Sequence, residues 1–424
     1  MIEKLKKFNN KLSKVDLFSP AIFFPFVLII YNLFGNIFDQ HRSDIFHLEK
    51  STYPLIIVAA VTYYLVYYFV NKKNIMLPMI SVSWFSKLFY IGIILLTLIG
   101  LMSYGYMVIT GQLGILDESI RRNIDPKLNF FSAFLWFGYL ILVTEYITRK
   151  EISKKKSIAI ILISAMVILF MILLIGYRTN LFMIVFTLIL FFHYQFKKFD
   201  FKIVVLILLL FSIGLSSFGY FRVASEDKTI KFNQNPTEHA DLDNKTKKDI
   251  VKINKTPKWF RVITAEFVNG KVVLSRIVQY TEQNGTLKGQ LHLSALGTVL
   301  PGTNESPRSI VTDKVNSLSH NSILVTREGR TTTPSFLGQL FLDGGYILLI
   351  VGVGLVSLLL SSLYNNLKST NENRYKISYA FLTTLMIISI HTGLLDIVFF
   401  IFFIAMLIYS LTTRKTSFIN KEAD

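Results

Sequence analysis

The chain of 424 residues contains no cysteine. That absence excludes disulfides, thiolate nucleophiles and cysteine-ligated metal centres together. No G-x-x-x-x-G-K-[ST] occurs, so nothing spells the phosphate cradle of an ATP-driven pump. H-E-x-x-H and G-x-S-x-G are missing as well, which lowers zinc-protease and hydrolase readings. One D-x-D is present, Asp241-Leu242-Asp243, but it stands in a Lys-rich polar tract without the strand context of a metal-nucleotide site. Matched halves are absent too. Seven apolar stretches, one long polar block and three further apolar stretches do not divide into the internal repeats of a secondary transporter.

What remains is strongly apolar. Hydrophobic residues make up 52% of the chain and the mean hydropathy is +0.48. They fall in runs near the ~20 residues that cross a bilayer. Stretches such as 158–176 and 202–218 are apolar all round, whereas a soluble core helix would show one polar face. The pattern predicts spans at 18–38, 53–70, 86–110, 130–148, 157–176, 179–196, 202–220, 336–364, 376–392 and 394–411. The first 17 residues are Lys-rich, but the apolar run behind them is too long for a cleaved signal and lacks a small-residue cleavage site. A retained first span is expected. The fold class is therefore an all-α polytopic membrane protein with about ten transmembrane helices. Its parts are an N-terminal membrane domain of seven spans (1–220), a large loop (221–335) and a C-terminal membrane part of three spans with a short tail (336–424).

Lys and Arg set the orientation, because they accumulate in short cytoplasmic connections. The N-terminus, the connections around Lys72, Arg149, Lys197 and Arg374, and the C-terminus together carry 22 basic residues. The four short connections opposite hold only Arg42, Lys50, Arg121, Arg122, Lys127 and Arg178, balanced by six acids. Both termini are thus expected in the cytoplasm and the long loop outside it. The same asymmetry accounts for most of the net charge of +18, with cations facing anionic membrane lipids rather than nucleic acid. The loop differs, carrying 17 Lys and Arg against 11 Asp and Glu where topology asks for no cations. This points to an anionic ligand.

A polar loop of this size between spans is a functional feature, since most connections are short. Its first part, 225–258, has few apolar positions and is expected to be mobile or surface-lying. Apolar residues from Trp259 to Val278 recur at helical spacing with Arg261, Glu266, Lys271 and Arg276 between them. They predict an amphipathic helix over 258–282, broken or bent near Asn269-Gly270, that lies on the outer leaflet or packs on the spans. The Gly-, Pro-, Ser- and Thr-rich remainder, 285–335, is expected to be irregular.

Arg178 is the first candidate for chemistry. It stands in Gly176-Tyr177-Arg178-Thr179, a connection too short to leave the membrane boundary, where a cation needs an anionic partner or an interfacial exit. Arg222, at the outer end of the seventh predicted span, is in the same position; either is also compatible with snorkelling to lipid phosphate. Two such arginines suit a diphosphate, because a planar fork meets phosphate oxygens two at a time. Arg276, Arg308, Arg327 and Arg330 are further loop cations that are either ligands or solvated charges. His320, in Ser319-His320-Asn321-Ser322, is the candidate general base or else a surface histidine. Asp343, His391 and Asp396 lie at or inside membrane depth, where ionisable groups suggest a site, though the last two also suit an outer turn. No metal and no cofactor is called for.

The chain resembles the bacterial O-antigen or capsular oligosaccharide repeat-unit polymerases, the Wzy-type, GT-C-like membrane glycosyltransferases. The likeness rests on Gly176-Tyr177-Arg178 at an outer span end, a late outer loop with Pro307-Arg308, and a stretch from Thr333 to Tyr346 entering the next span. That stretch is similar to the family's small-x-x-x-x-Leu-Gly-Glu-x-Tyr-x-x-x-Gly pattern, with Gln339 where an acid is common. The resemblance implies transfer of a growing glycan from one undecaprenyl-diphosphate carrier to a second lipid-linked repeat unit, outside the bacterial cytoplasmic (inner) membrane. Donor and acceptor are then both lipid-linked glycans, and a chain-length regulator is an implied partner. It implies Arg178 and Arg222 on the donor diphosphate, Arg276 and Arg308 completing the cage or holding the acceptor, and His320 as base. Ser319-His320-Asn321 also resembles the His-Asn of O-antigen ligases, which attach glycan to lipid A core. A lipid-linked oligosaccharide flippase and a non-enzymatic membrane assembly scaffold stay open beside these two enzymes.

Overall fold

The computed structural model describes residues 16–34, 50–78, 83–113, 124–149, 152–200, 202–204, 206, 258–298, 306–317 and 333–412. Among them every regular element is a helix. In chain order these are α1 (Phe23–Phe34), α2 (Thr52–Lys72), α3 (Ser83–Ile109), α4 (Pro126–Arg149), α5 (Lys154–Ile175) and α6 (Arg178–Gln195). After the loop region come α7 (Lys258–Asn284), α8 (Gln290–Gly297), α9 (Pro307–Ser317), α10 (Phe336–Thr370), α11 (Asn373–Thr392) and α12 (Ile397–Leu411).

Five of the described helices are long and apolar enough to cross a bilayer: Thr52–Lys72, Ser86–Ile109, Pro126–Thr148, Lys154–Ile175 and Phe336–Thr370. Shorter apolar helices cover Phe23–Leu33, Thr179–Gln195 and Ile397–Leu411. In hydrocarbon each backbone amide must be satisfied within its own segment, and a helix does this without help from sequence-distant partners. The result is a polytopic helical membrane protein. Most of the predicted seventh span lies outside the described residues.

The chain divides into two compact units. One draws on Met1–Phe69, Phe199–Leu358 and Met386–Ile397; the other on Val70–Lys198, Leu359–Leu385 and Val398–Asp424. In the first unit Phe24 stacks on Tyr63 with centroids 5.1 Å apart. The Tyr63 hydroxyl donates to the Pro20 carbonyl at 3.0 Å, and Ser357 Oγ donates to the Tyr63 carbonyl at 2.7 Å. A buried apolar cluster joins Ile277 of α7, Leu291 of α8, Ile310, Val311 and Val315 of α9, and Leu342 of α10. Each such side chain contributes about 1.5–3 kcal/mol on burial, so α8 and α9 are packed elements of this unit. The expectation of irregular backbone across 285–335 is corrected at both places: Leu291 and Ala295, and Pro307, Ile310, Val311 and Val315, fall at helical spacing that the Gly, Ser and Thr around them obscured.

Helix α7 is present as expected but runs unbroken through Asn269 and Gly270. Gly270 serves close approach instead: a Cβ there would collide with the Tyr31 hydroxyl of α1. From Gly270 to Thr281 the helix is buried on most of its circumference, including Leu274, Ser275, Ile277 and Val278. Over that stretch it is a protein-packed helix rather than one lying on lipid.

In the second unit α3 packs along α4, and Phe137 of α4 stacks on Phe402 of α12 at 4.4 Å with rings 2° from parallel. Glu145, buried on α4, accepts a hydrogen bond from the Tyr409 hydroxyl at 2.9 Å. Lys376, also buried, donates to Gln195 Oε1 at 2.8 Å. Both of these buried ionisable groups therefore have a polar partner, as a low-dielectric interior requires.

Candidate functional site

Helix α10 does not run straight through its 35 residues. It is interrupted at Gly344 (φ −144°, ψ 15°) and Gly345 (φ 63°, ψ −151°). The second conformation belongs to a region open essentially to glycine alone. A break there frees carbonyls that the helix would otherwise bond. The segment before α8 takes them: Leu287 N–H donates to the Leu342 carbonyl at 2.9 Å and Gly289 N–H to the Asp343 carbonyl at 3.3 Å.

The Asp343 side chain continues the lacing. It has 0% exposure, and its two oxygens accept the backbone N–H groups of Leu291 at 3.0 Å and His292 at 3.1 Å. These are amides of the first turn of α8, whose N-cap residue, Gly289, has no side chain to satisfy them. Asp343 supplies the missing cap from another helix, with its negative charge at the positive end of the α8 dipole. His292 Nδ1 completes the set with a bond to Asp343 Oδ2. An ionised carboxylate only accepts, so Nδ1 carries a proton, and in the neutral ring Nε2 holds the free lone pair. The His292 side chain keeps 35% of its surface exposed.

A second group of polar residues gathers in the same unit. Arg308 Nη2 of α9 meets Asp396 Oδ2 at 3.1 Å, and both side chains are about a third exposed. The Tyr31 hydroxyl lies 2.5 Å from His391 Nδ1. Gln339, buried on α10, accepts the Leu394 N–H at 2.8 Å and so ties the start of α10 to the turn between α11 and α12. An amide oxygen suffices for that bond, which gives Gln339 a use at a position where the family pattern favours an acid. Lys271 of α7 is buried to 1% exposure, a deeper position than its place among apparently surface charges foretold.

The sequence-derived candidates divide accordingly. Asp343 and Arg308 are each held by a specific partner. Arg276 is half-buried on α7 and makes no ion pair among the described residues. Arg178 is the first residue of α6, separated from α5 only by Gly176 and Tyr177; its side chain lies outside the described residues, as do Arg222, His320, Arg327 and Arg330. The 225–258 stretch and the D-x-D lie almost wholly outside them too. His292 is the residue that sequence reasoning passed over. A signal existed: a carboxylate at membrane depth must find donors, and His292 is one of few imidazoles in the loop.

The model of the family described as "Putative O-antigen polymerase" matches residues 16–251 and 269–403. No curated protein and no solved structure matches the chain. The family match takes in most of the chain, the greater part of the loop included. It includes the α5–α6 junction with Arg178, helix α8 with His292, Arg308, and the broken start of α10 with Asp343. The chain belongs to the O-antigen polymerase family.

Proposed function

We propose that the protein polymerises undecaprenyl-diphosphate-linked oligosaccharide repeat units into O-antigen or capsular polysaccharide on the outer face of the bacterial cytoplasmic membrane. Family membership over most of the chain is the observation that carries this reading. The orientation rests on the Lys and Arg asymmetry of the connections. Outside the cytoplasm there is no nucleotide sugar, so the lipid diphosphate is both the activating group and the leaving group. The acceptor hydroxyl oxygen forms a bond to the donor's anomeric carbon while the anomeric C–O bond to phosphate breaks. The electron pair leaves with the diphosphate, the hydroxyl proton passes to a base, and the configuration at the anomeric carbon inverts.

Charge developing on the diphosphate needs fixed cations aimed at it. Arg178 and Arg222 take the donor diphosphate, and Arg276 and Arg308 serve the cage or the acceptor. Support for Arg178 comes from its place at the start of α6. A cation is disfavoured at a helix N-terminus by the dipole, whereas an anion there is favoured by both the free N–H groups and the arginine. Arg327 and Arg330 precede α10 in sequence and are assigned to substrate binding, while Asp343, with 0% exposure and both oxygens committed to α8, serves the site through its partners. No cofactor or metal is assigned a role; a guanidinium fork supplies the charge that a metal supplies elsewhere.

The test is Arg178→Ala in the producing strain. Single repeat units attached to their final acceptor, without polymer, are expected. Normal chain lengths in that strain would remove Arg178 from the site, and long polymer accumulating on the lipid carrier in a null strain would move the assignment to a ligase.

A further inference from the structure

We infer that His292, oriented by Asp343, receives the acceptor hydroxyl proton in the transfer, with Nε2 as the accepting atom. This deepens the proposed function and rests on it. A base must meet three conditions: a lone pair at an atom that substrate can reach, a fixed orientation, and a partner for the positive charge that forms. His292 meets all three. Nδ1 is committed to Asp343 Oδ2, which leaves Nε2 as the accepting nitrogen, and Nε2 has no hydrogen-bond partner among the described residues. The Asp343 carboxylate that fixes the ring is itself immobilised by the Leu291 and His292 amides and by its place at the α10 break. Once the ring holds two protons, that carboxylate faces the imidazolium directly, a carboxylate–imidazole–hydroxyl order that recurs where a histidine works as a base.

The hydrogen bonds separate this role from simple helix capping. The two backbone bonds already cap α8, and Asp343 needs no imidazole for that purpose. The surroundings of the ring suit a lipid-borne substrate. Leu293 and Leu296 on the same short helix are exposed at 67% and 54%, so His292 stands beside apolar surface. A polyprenyl-linked sugar presents that combination, a hydrocarbon anchor with a hydroxyl close by. Asp343 is accordingly a positioning residue, acting through the ring. His320 is the competing imidazole, and the experiment decides between them.

The experiment uses full-length protein in nanodiscs with a polyprenyl-diphosphate-linked repeat unit extracted from the producing strain, reading the initial rate of glycan ladder formation. His292→Ala is expected to lower that rate by about 100-fold or more, the usual contribution of a positioned base. Added imidazole is expected to restore part of the rate to His292→Ala but none to the double variant His292→Ala, Asp343→Asn, where nothing orients the guest ring. Should His292→Ala fail to fold, His292→Gln decides, because its amide still donates to Asp343 but cannot take a proton; a folded, inactive protein is expected. Rates within about twofold of wild type in either variant would overturn the inference. So would a loss that imidazole does not relieve, or imidazole rescue confined to His320→Ala. A wild-type protein that forms no ladder would instead defeat the polymerase reading, and this inference with it.

Discussion

Two buried carboxylates in this chain are satisfied in different ways. Glu145 on α4 accepts the Tyr409 phenol, and Tyr409 is fully buried beneath Phe89, whose ring stacks 6.1 Å away, and Tyr90. Asp343 on α10 is also buried, but its imidazole partner keeps an open edge. An ionisable group at membrane depth is a site candidate by default. These two teach that the partner's exposure divides the class. A phenol sealed among aromatic rings has no substrate to exchange a proton with, whereas an imidazole with one free nitrogen at the surface does. Glu145–Tyr409 is sealed packing; Asp343–His292 has the exposure that the inferred base requires.

Substitutions that break this contrast are expected to differ in kind and size. Asp343→Ala removes the acceptor of two backbone amides and one imidazole, each costing roughly 1–3 kcal/mol when left unsatisfied. Thermal unfolding in detergent should show a loss of about 3 kcal/mol or more, with polymer abolished. Glu145→Gln keeps the acceptor oxygen for Tyr409 and should cost less than about 1 kcal/mol; equal losses for the two variants would dissolve the comparison.

Gly345→Ala forces a side chain into φ 63°, ψ −151° and is expected to cost about 1–3 kcal/mol. Because the same break sets Asp343 against α8, polymer formed per folded molecule should fall as well, which gel analysis beside the melting curve would reveal. Tyr409→Phe leaves Glu145 short of one donor and should cost about 1–2 kcal/mol, with transfer per folded molecule unchanged. The smallest stability effect belongs to Asp396→Ala, which undoes a partly exposed ion pair worth less than about 1 kcal/mol. There the informative reading is transfer: Arg308→Ala should depress it more than Asp396→Ala, and the reverse order would assign the carboxylate rather than the guanidinium to the substrate.

The transmembrane character was legible because apolar runs all round a helix leave no other solvent than lipid. Helix α7 was legible from its period, but its surroundings were not. Gly270 reads as a bend in sequence, and only the Tyr31 hydroxyl pressed against it explains the residue as a contact point. Helices α8 and α9 were hidden because short helices carry weak periodicity and are stabilised by tertiary packing rather than propensity. Asp343 could be singled out from its depth alone. Its partner carried a weaker signal, one of few imidazoles in the loop, since His292 is 51 residues distant in sequence and is brought to the carboxylate by a backbone break at two glycines. Gln339 shows the same limit from the other side, as an apparent loss of an acid that retains the one oxygen the turn at Leu394 requires.

If the chain joins lipid-diphosphate-linked repeat units, it needs no other substrate to build polymer. The most direct measurement incubates purified protein in nanodiscs with such a repeat unit from the source strain, without nucleotide sugar or divalent metal, and resolves the products on a gel. A ladder of glycans rising by one repeat unit per rung is expected, lost in Arg178→Ala. Transfer seen only when lipid A core is supplied would make the protein a ligase, and no new glycosidic bond under either condition would exclude a glycosyltransferase.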